Sequence, residues 1–187
     1  MSKNTYKYSI AFMSCLVLQS AQAKEIKITE QLISDAFNCK VTLDEAVEVY
    51  SYLYENKDEM TDDEVQKIDF PSAFDKINQK ITVHGFSSYY VNNQIGAEGE
   101  FVKLSLMVPN KKSFETVEKS AKTLNAKADA EFNDQAKAMN LKLRSYQISQ
   151  SKKDKFTTTQ SISNNWAPDE QHNPWPLVEL SCQYEKN

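Results

Sequence analysis

"KITVHGFSSYYVN", residues 80–92, is where the spacing of apolar residues changes. Ile81, Val83, Tyr89 and Val91 occupy odd positions and His84, Phe86 and Tyr90 even ones, and alternation of this kind marks a strand with one buried face. Upstream the apolar residues recur at steps of three and four. Downstream the alternation returns. A chain that changes period in this way is predicted to be α+β.

In "EFVKLSLMV" (100–108), Val102, Leu104, Leu106 and Val108 alternate with Lys103 and Ser105. The intervening "NQIGAEG" (93–99) holds two of the chain's three glycines, so the two stretches are predicted to pair as an antiparallel hairpin with a long loop. "LKLRSYQISQ" (141–150) and "KFTTTQSISN" (155–164) predict a second hairpin around a polar turn from Ser151 to Asp154. "LVELSCQYE" (177–185) closes the set, with Val178, Leu180, Cys182 and Tyr184 on one face and Glu179, Ser181 and Gln183 on the other. The expectation is a mainly antiparallel sheet of about five strands.

Before residue 80 the chain reads as helical. In "VTLDEAVEVYSYLYENK" (41–57), Thr42 and Glu45 form a capping box ahead of the stripe Leu43, Ala46, Val47, Tyr50, Leu53 and Tyr54. "TEQLISDAFN" (29–38) adds a turn or two. A second box, Thr61 with Glu64, predicts a short helix ending before Pro71, and Ser72 caps another to about Gln79. Between the two hairpins one long helix is predicted. Ser113 caps it, and Phe114, Val117, Ala121, Leu124, Ala128, Phe132, Ala136 and Met139 keep helical spacing up to Asn140, which suits a left-handed C-terminal position.

Residues 1–23 have the layout of a secretory signal peptide: Lys3 and Lys7, an apolar stretch from Tyr8 to Leu18, then Ala21 and Ala23. The apolar stretch falls short of the ~20 residues that span a bilayer, so cleavage after Ala23 is expected rather than anchoring. The single domain is then 24–187. Losing Lys3 and Lys7 takes 22 basic residues to 20, against 26 acidic ones, a net charge of −6. That disfavours nucleic acid and anionic membranes, which are bound by cationic patches. The chain contains no glycosylation sequon, in keeping with a bacterial protein.

Three cysteines become an even pair if Cys15 leaves with the signal. Cys39 and Cys182 are then expected to form a structural disulfide in an oxidising compartment. A redox-active pair would more typically carry C-x-x-C spacing.

Catalytic signatures are sparse. Neither glycine-rich phosphate loop is present, nor H-E-x-x-H, nor G-x-S-x-G, and three glycines leave little material for cradling phosphate. No cofactor is expected. Asp169, Glu170 and His172 stand close together but without metal-ligand spacing, and read as a solvated acidic loop rather than a metal site. What stands out is aromatic. Trp166 and Trp175 share a proline-stiffened loop, "NWAPDEQHNPWP" (165–176), and His84, Phe86 and Tyr90 line one face of the strand quoted first. These five are the candidate binding residues, because stiff aromatic segments bury much area at little entropic cost. The expected function is that of an exported, periplasmic, non-enzymatic binding protein of the inhibitor or immunity type, acting on another protein or an envelope component. The alternative is a small secreted hydrolase using His172 or His84 with nearby carboxylates.

Overall fold

A computed structural model describes residues 26–61, 74–164 and 176–187. Helices α1 (Glu30–Phe37) and α2 (Leu43–Glu55) come first, followed by β1 (Lys57–Asp58), β2 (Asp75–Val83), β3 (Phe86–Val91), β4 (Gln94–Ile95) and β5 (Phe101–Pro109). Then come α3 (Ser113–Thr123), β6 (Lys127–Ala128), α4 (Ala130–Ala138), β7 (Ser145–Lys152), β8 (Phe156–Ser163) and β9 (Leu177–Lys186). All nine strands belong to one sheet of order β1-β2-β3-β5-β9-β8-β7-β6, with β4 pairing β5 off that path. Every pairing is antiparallel. The class is α+β, but nine strands replace the five expected, because the short β1, β4 and β6 carry no alternation to read and the quoted stretch is two strands.

Two three-stranded meanders, β2-β3-β5 and β7-β8-β9, meet at the centre of the sheet. There β5 and β9 pair over nine consecutive positions, from Phe101↔Glu185 to Pro109↔Leu177. Residues opposite one another share a face, so Val102, Leu104 and Leu106 lie beside Tyr184, Cys182 and Leu180. All six are buried, and with Ile33, Phe37, Ala46, Val49 and Leu53 of α1 and α2, and Val117 of α3, they form one core. The alternation expected in the last strand holds.

The disulfide Cys39–Cys182 joins this core across 143 residues, with a Cα–Cα distance of 5.5 Å. Cys39 follows α1 with φ 60°, the left-handed position of a Schellman ending: its N–H bonds the Ala36 carbonyl and Lys40 N–H bonds that of Asp35. Two more helices end in the same way. Asn125 (φ 51°) closes α3, with Ala126 N–H on the Ala121 carbonyl, and Asn140 (φ 57°) closes α4, with Leu141 N–H on that of Ala136.

Asn125 explains the largest correction among the helices. The expected single helix from Ser113 to Met139 is two, separated by the turn at Leu124–Asn125 and the two residues of β6. The apolar residues keep their spacing across the break, but of those after it only Ala136 is buried, Ala128 being exposed in β6 and Met139 68% exposed. Ser113 does not cap α3 either. It is the first helical residue and buried, and Lys112 takes the cap position without a side-chain bond. The capping box of α2 is formed as expected, Glu45 N–H donating to Thr42 Oγ1 (3.3 Å) and Thr42 N–H to Glu45 Oε2 (2.8 Å).

The helix expected from Ser72 to Gln79 is, from Asp75 onward, strand β2. The pairing with β3 is irregular between Lys76 and Ile81, while along β2 the buried Ile77, Ile81 and Val83 share one face with the half-buried Gln79. A cap at Ser72 alone, with no helical stripe behind it, did not carry a helix here. The helix expected from Thr61 to Pro71 lies outside the described residues.

His84 (φ 49°) and Gly85 (φ 83°) form the two-residue turn between β2 and β3, positive φ at both centres being what a tight hairpin requires. Beyond it, β3 pairs β5 at only two positions, Tyr90↔Met107 and Val91↔Leu106. Ser88 Oγ bridges the irregular stretch, donating to the Met107 carbonyl (2.6 Å) and accepting from Tyr90 N–H (3.0 Å). The turn then reaches far across the sheet, with His84 Nε2 lying 3.0 Å from Gln160 Oε1 on β8. Strands about 4.8 Å apart would leave β3 and β8 some 14 Å distant in a flat sheet. The hairpin therefore curls over the helical face.

The opposite face is closed differently. Met107 and Leu177 pack with Phe74, while the carboxylate of Glu179, 4% exposed, lies 2.7 Å from Lys103 Nζ and accepts from Ser105 Oγ at 2.8 Å. Among the described residues no helix is long and apolar enough to cross a membrane.

Candidate binding site

Three separate stretches converge beside the N-terminus of α2. The capping box fixes the first turn of that helix, and the core takes Ala46, Val49 and Leu53. Leu43, Asp44, Val47 and Glu48 are thereby left on an outer face, since residues three to five apart in a helix lie together. Opposite them runs the connection from β4 to β5. Gly96 N–H bonds the Phe101 carbonyl (2.9 Å), and a Cβ on Gly96 would stand 2.6 Å from the Phe101 ring, so only glycine fits there. Glu98 (φ 55°) and Gly99 (φ 69°) follow in the left-handed region. A non-glycine residue held so is strained, and such positions cluster at binding sites.

The third wall is the β7–β8 turn with the end of β9, which brings Lys155, Phe156 and Lys186. Asn187 ties it down: its N–H bonds the Lys155 carbonyl (3.1 Å) and its Oδ1 accepts from Thr157 Oγ1 (2.7 Å). Lys186 N–H reaches the Glu100 carbonyl (2.8 Å), joining this wall to the second.

Between these walls lies a cavity of about 740 Å³. Leu43, Val47, Ile95 and Phe156 make it apolar, Ile95 being 38% exposed. Asp44, Glu48 and Glu98 supply negative charge and Lys155 and Lys186 positive charge. Its size is that of ligand-binding clefts, and five of its eleven lining residues are charged. This one suits an amphipathic segment that carries charge, and a cationic group has three carboxylates to meet.

The residues singled out in the sequence lie elsewhere. Trp166 and Trp175, with Asp169, Glu170 and His172, are outside the described residues. His84 is exposed at its turn. Phe86 packs on the main core with Ile81 and Val83, whereas Tyr90 packs on the other side of the sheet with Met107, Leu177 and Phe74. The shared face expected for His84, Phe86 and Tyr90 does not exist, because the turn at His84–Gly85 and the irregular pairing of β3 break the alternation. Cys39 and Cys182 belong to the core. Among the described residues no group of three or more His, Cys, Asp or Glu side chains is placed to hold a metal ion.

None of the cavity residues was read in the sequence as a binding residue; Thr42, Leu43 and Val47 were read only as the cap and apolar stripe of α2. The one signal was the pair of glycines in "NQIGAEG", which marks a loop with unusual backbone needs.

No family model matches this chain, and neither does any curated protein or solved structure.

Proposed function

We propose that this chain is an exported, non-enzymatic binding protein of the inhibitor or immunity type, which takes a cationic, partly apolar segment of another protein into the cavity beside α2. The observation that carries the reading is the cavity itself, with an apolar lining and three carboxylates, Asp44, Glu48 and Glu98, at its walls. After cleavage behind Ala23 the chain would carry a net charge of −6. An acidic binder and a basic envelope hydrolase attract at long range, which favours encounter and register. The Cys39–Cys182 disulfide is compatible with an oxidising, periplasmic setting.

The hydrolase alternative gains nothing from His84. Its imidazole meets the Gln160 amide rather than a carboxylate, and it lines no wall of this cavity.

The test is a photo-crosslinking side chain placed at position 95, in the cells that make this chain. A discrete adduct with one protein is expected, lost when Glu48→Lys reverses a wall charge and not formed by the same probe at position 137 on α4. An adduct untouched by the charge reversal, or no adduct at 95, would remove the proposal.

A further inference from the structure

A second cavity, about 610 Å³, lies where the start of α1 meets α2 and the irregular part of β2. Five large apolar or aromatic side chains are exposed among the described residues, Tyr52, Tyr54, Tyr89, Ile95 and Met139, and two of the three tyrosines, Tyr52 (38%) and Tyr89 (44%), line this one groove. They come from different elements, α2 and β3. Their rings supply faces on which a ligand can stack.

Strand β2 supplies the rest. In a regular strand Asn78 and Lys80 would share one face and Gln79 the other. Burial keeps that alternation here, Asn78 and Lys80 being exposed and Gln79 half-buried between the buried Ile77 and Ile81, and although the pairing with β3 shifts between Lys76 and Ile81 all three polar residues border the cavity. Gln79 Nε2 donates to the Glu30 carbonyl at 3.4 Å, which ties the strand to the start of α1.

The chemistry of the lining selects the ligand. Apart from the two phenols, its ionisable groups are Glu30 and Lys80, one of each sign, so the groove has no net charge to attract an ion. Two side-chain amides and two phenolic hydroxyls both donate and accept hydrogen bonds. A partner with hydroxyls all round and apolar C–H faces matches that set. We propose that the groove of Tyr52, Tyr89, Asn78, Gln79 and Lys80 binds a neutral saccharide, independently of the cavity beside the start of α2.

The test is calorimetric titration of the disulfide-bonded exported chain with chitotetraose and with maltotetraose, and with a sulfated tetrasaccharide for comparison. Saturable binding of a neutral oligosaccharide is expected. Tyr52→Ala and Tyr89→Ala should each weaken it about tenfold, or about 1.4 kcal/mol. Tyr54→Ala, an exposed tyrosine stacked on Tyr50 and outside the groove, should leave it unchanged. If either groove variant melts at room temperature, the exposed Asn78→Ala and Lys80→Ala take its place. Failure of both neutral oligosaccharides to bind overturns the proposal, as does binding that survives the groove variants or that only the sulfated sugar shows.

Discussion

Tyr184 Oη donates a 2.7 Å hydrogen bond to the carbonyl of Ala36, 148 residues away in sequence. The tyrosine is fully buried two residues beyond Cys182, and Ala36 stands three before Cys39, so one strand-to-helix junction carries both a covalent and a polar tie. Burial pushes the phenol's pKa well above its usual value, and the Val41 backbone pulls it back only in part. A raised folded-state pKa means that the stabilisation is complete below pH ~10, where the unfolded tyrosine titrates, and is lost as pH rises toward the folded value. Denaturant melts at pH 7, 10 and 11 should show stability falling over that alkaline window. Tyr184→Phe should lower stability at pH 7 by about 1 kcal/mol and flatten the alkaline fall. An equally steep fall in the variant would assign the effect elsewhere.

The thiol count separates two predictions about the cysteines. A chain cut after Ala23 should show no reactive thiol after denaturation without reductant, whereas an uncut chain should show one, Cys15. Reduction, or the pair Cys39→Ser and Cys182→Ser, should cost about 3–5 kcal/mol, as closing a long loop implies. Urea midpoints of oxidised and reduced protein measure it directly.

Asn125 sets where α3 stops. Its φ of 51° suits asparagine and glycine and penalises other residues. Asn125→Ala should destabilise by about 1 kcal/mol, and Asn125→Gly should be neutral or slightly stabilising. If alanine were harmless, the turn would not depend on the left-handed residue.

Gln160 is 5% exposed, and its Nε2 is the buried side-chain polar atom without a hydrogen-bond partner among the described residues. Its only contribution is the bond to His84, an exposed residue that water can serve instead. Gln160→Met keeps the volume and removes an unmet donor, and should raise stability by about 1 kcal/mol. A drop in melting temperature would show that the amide is satisfied. In the same turn Gly85→Ala should cost about 1 kcal/mol through φ alone, since a Cβ there has nothing within 4 Å.

Lys103 and Glu179 make the converse case on the other face of the sheet. Glu179→Ala should cost about 3 kcal/mol by stranding a partly buried ammonium, and Lys103→Met a similar amount by removing the cation that faces the buried carboxylate. Combining Lys103→Met with Glu179→Leu should recover more than half of that loss. A double-variant cycle in urea gives the coupling, and simple additivity would mean that the ion pair contributes little.

These residues also show what the sequence could disclose. The pairing of β7 with β8, the buried face of β9, the capping box of α2 and the Cys39–Cys182 bond were all legible, because each depends on local spacing or on counting. Asn125 escaped because the helical spacing of apolar residues runs through the break, and Asp75–Gln79 because a helix was read there from the Ser72 cap alone, with too few apolar residues to show a period. The dipeptide His84–Gly85 was readable as a tight turn, and the alternation on either side concealed it. The cavity beside α2 draws on residues 42–48, 95–99, 155–156 and 186. No periodicity within one element announces a wall shared by three.

The order of strands has a consequence for how the chain is made. The long β5–β9 pairing sits at the centre of the sheet, yet residues 177–186 are synthesised some seventy residues after β5. Until they arrive, β5 lacks its longest partner, β8 lacks its inner neighbour, and Cys39 lacks Cys182. The sheet is thus completed only when its last strand arrives, and a chain exported as proposed would hold no completed sheet while it is being threaded through a membrane.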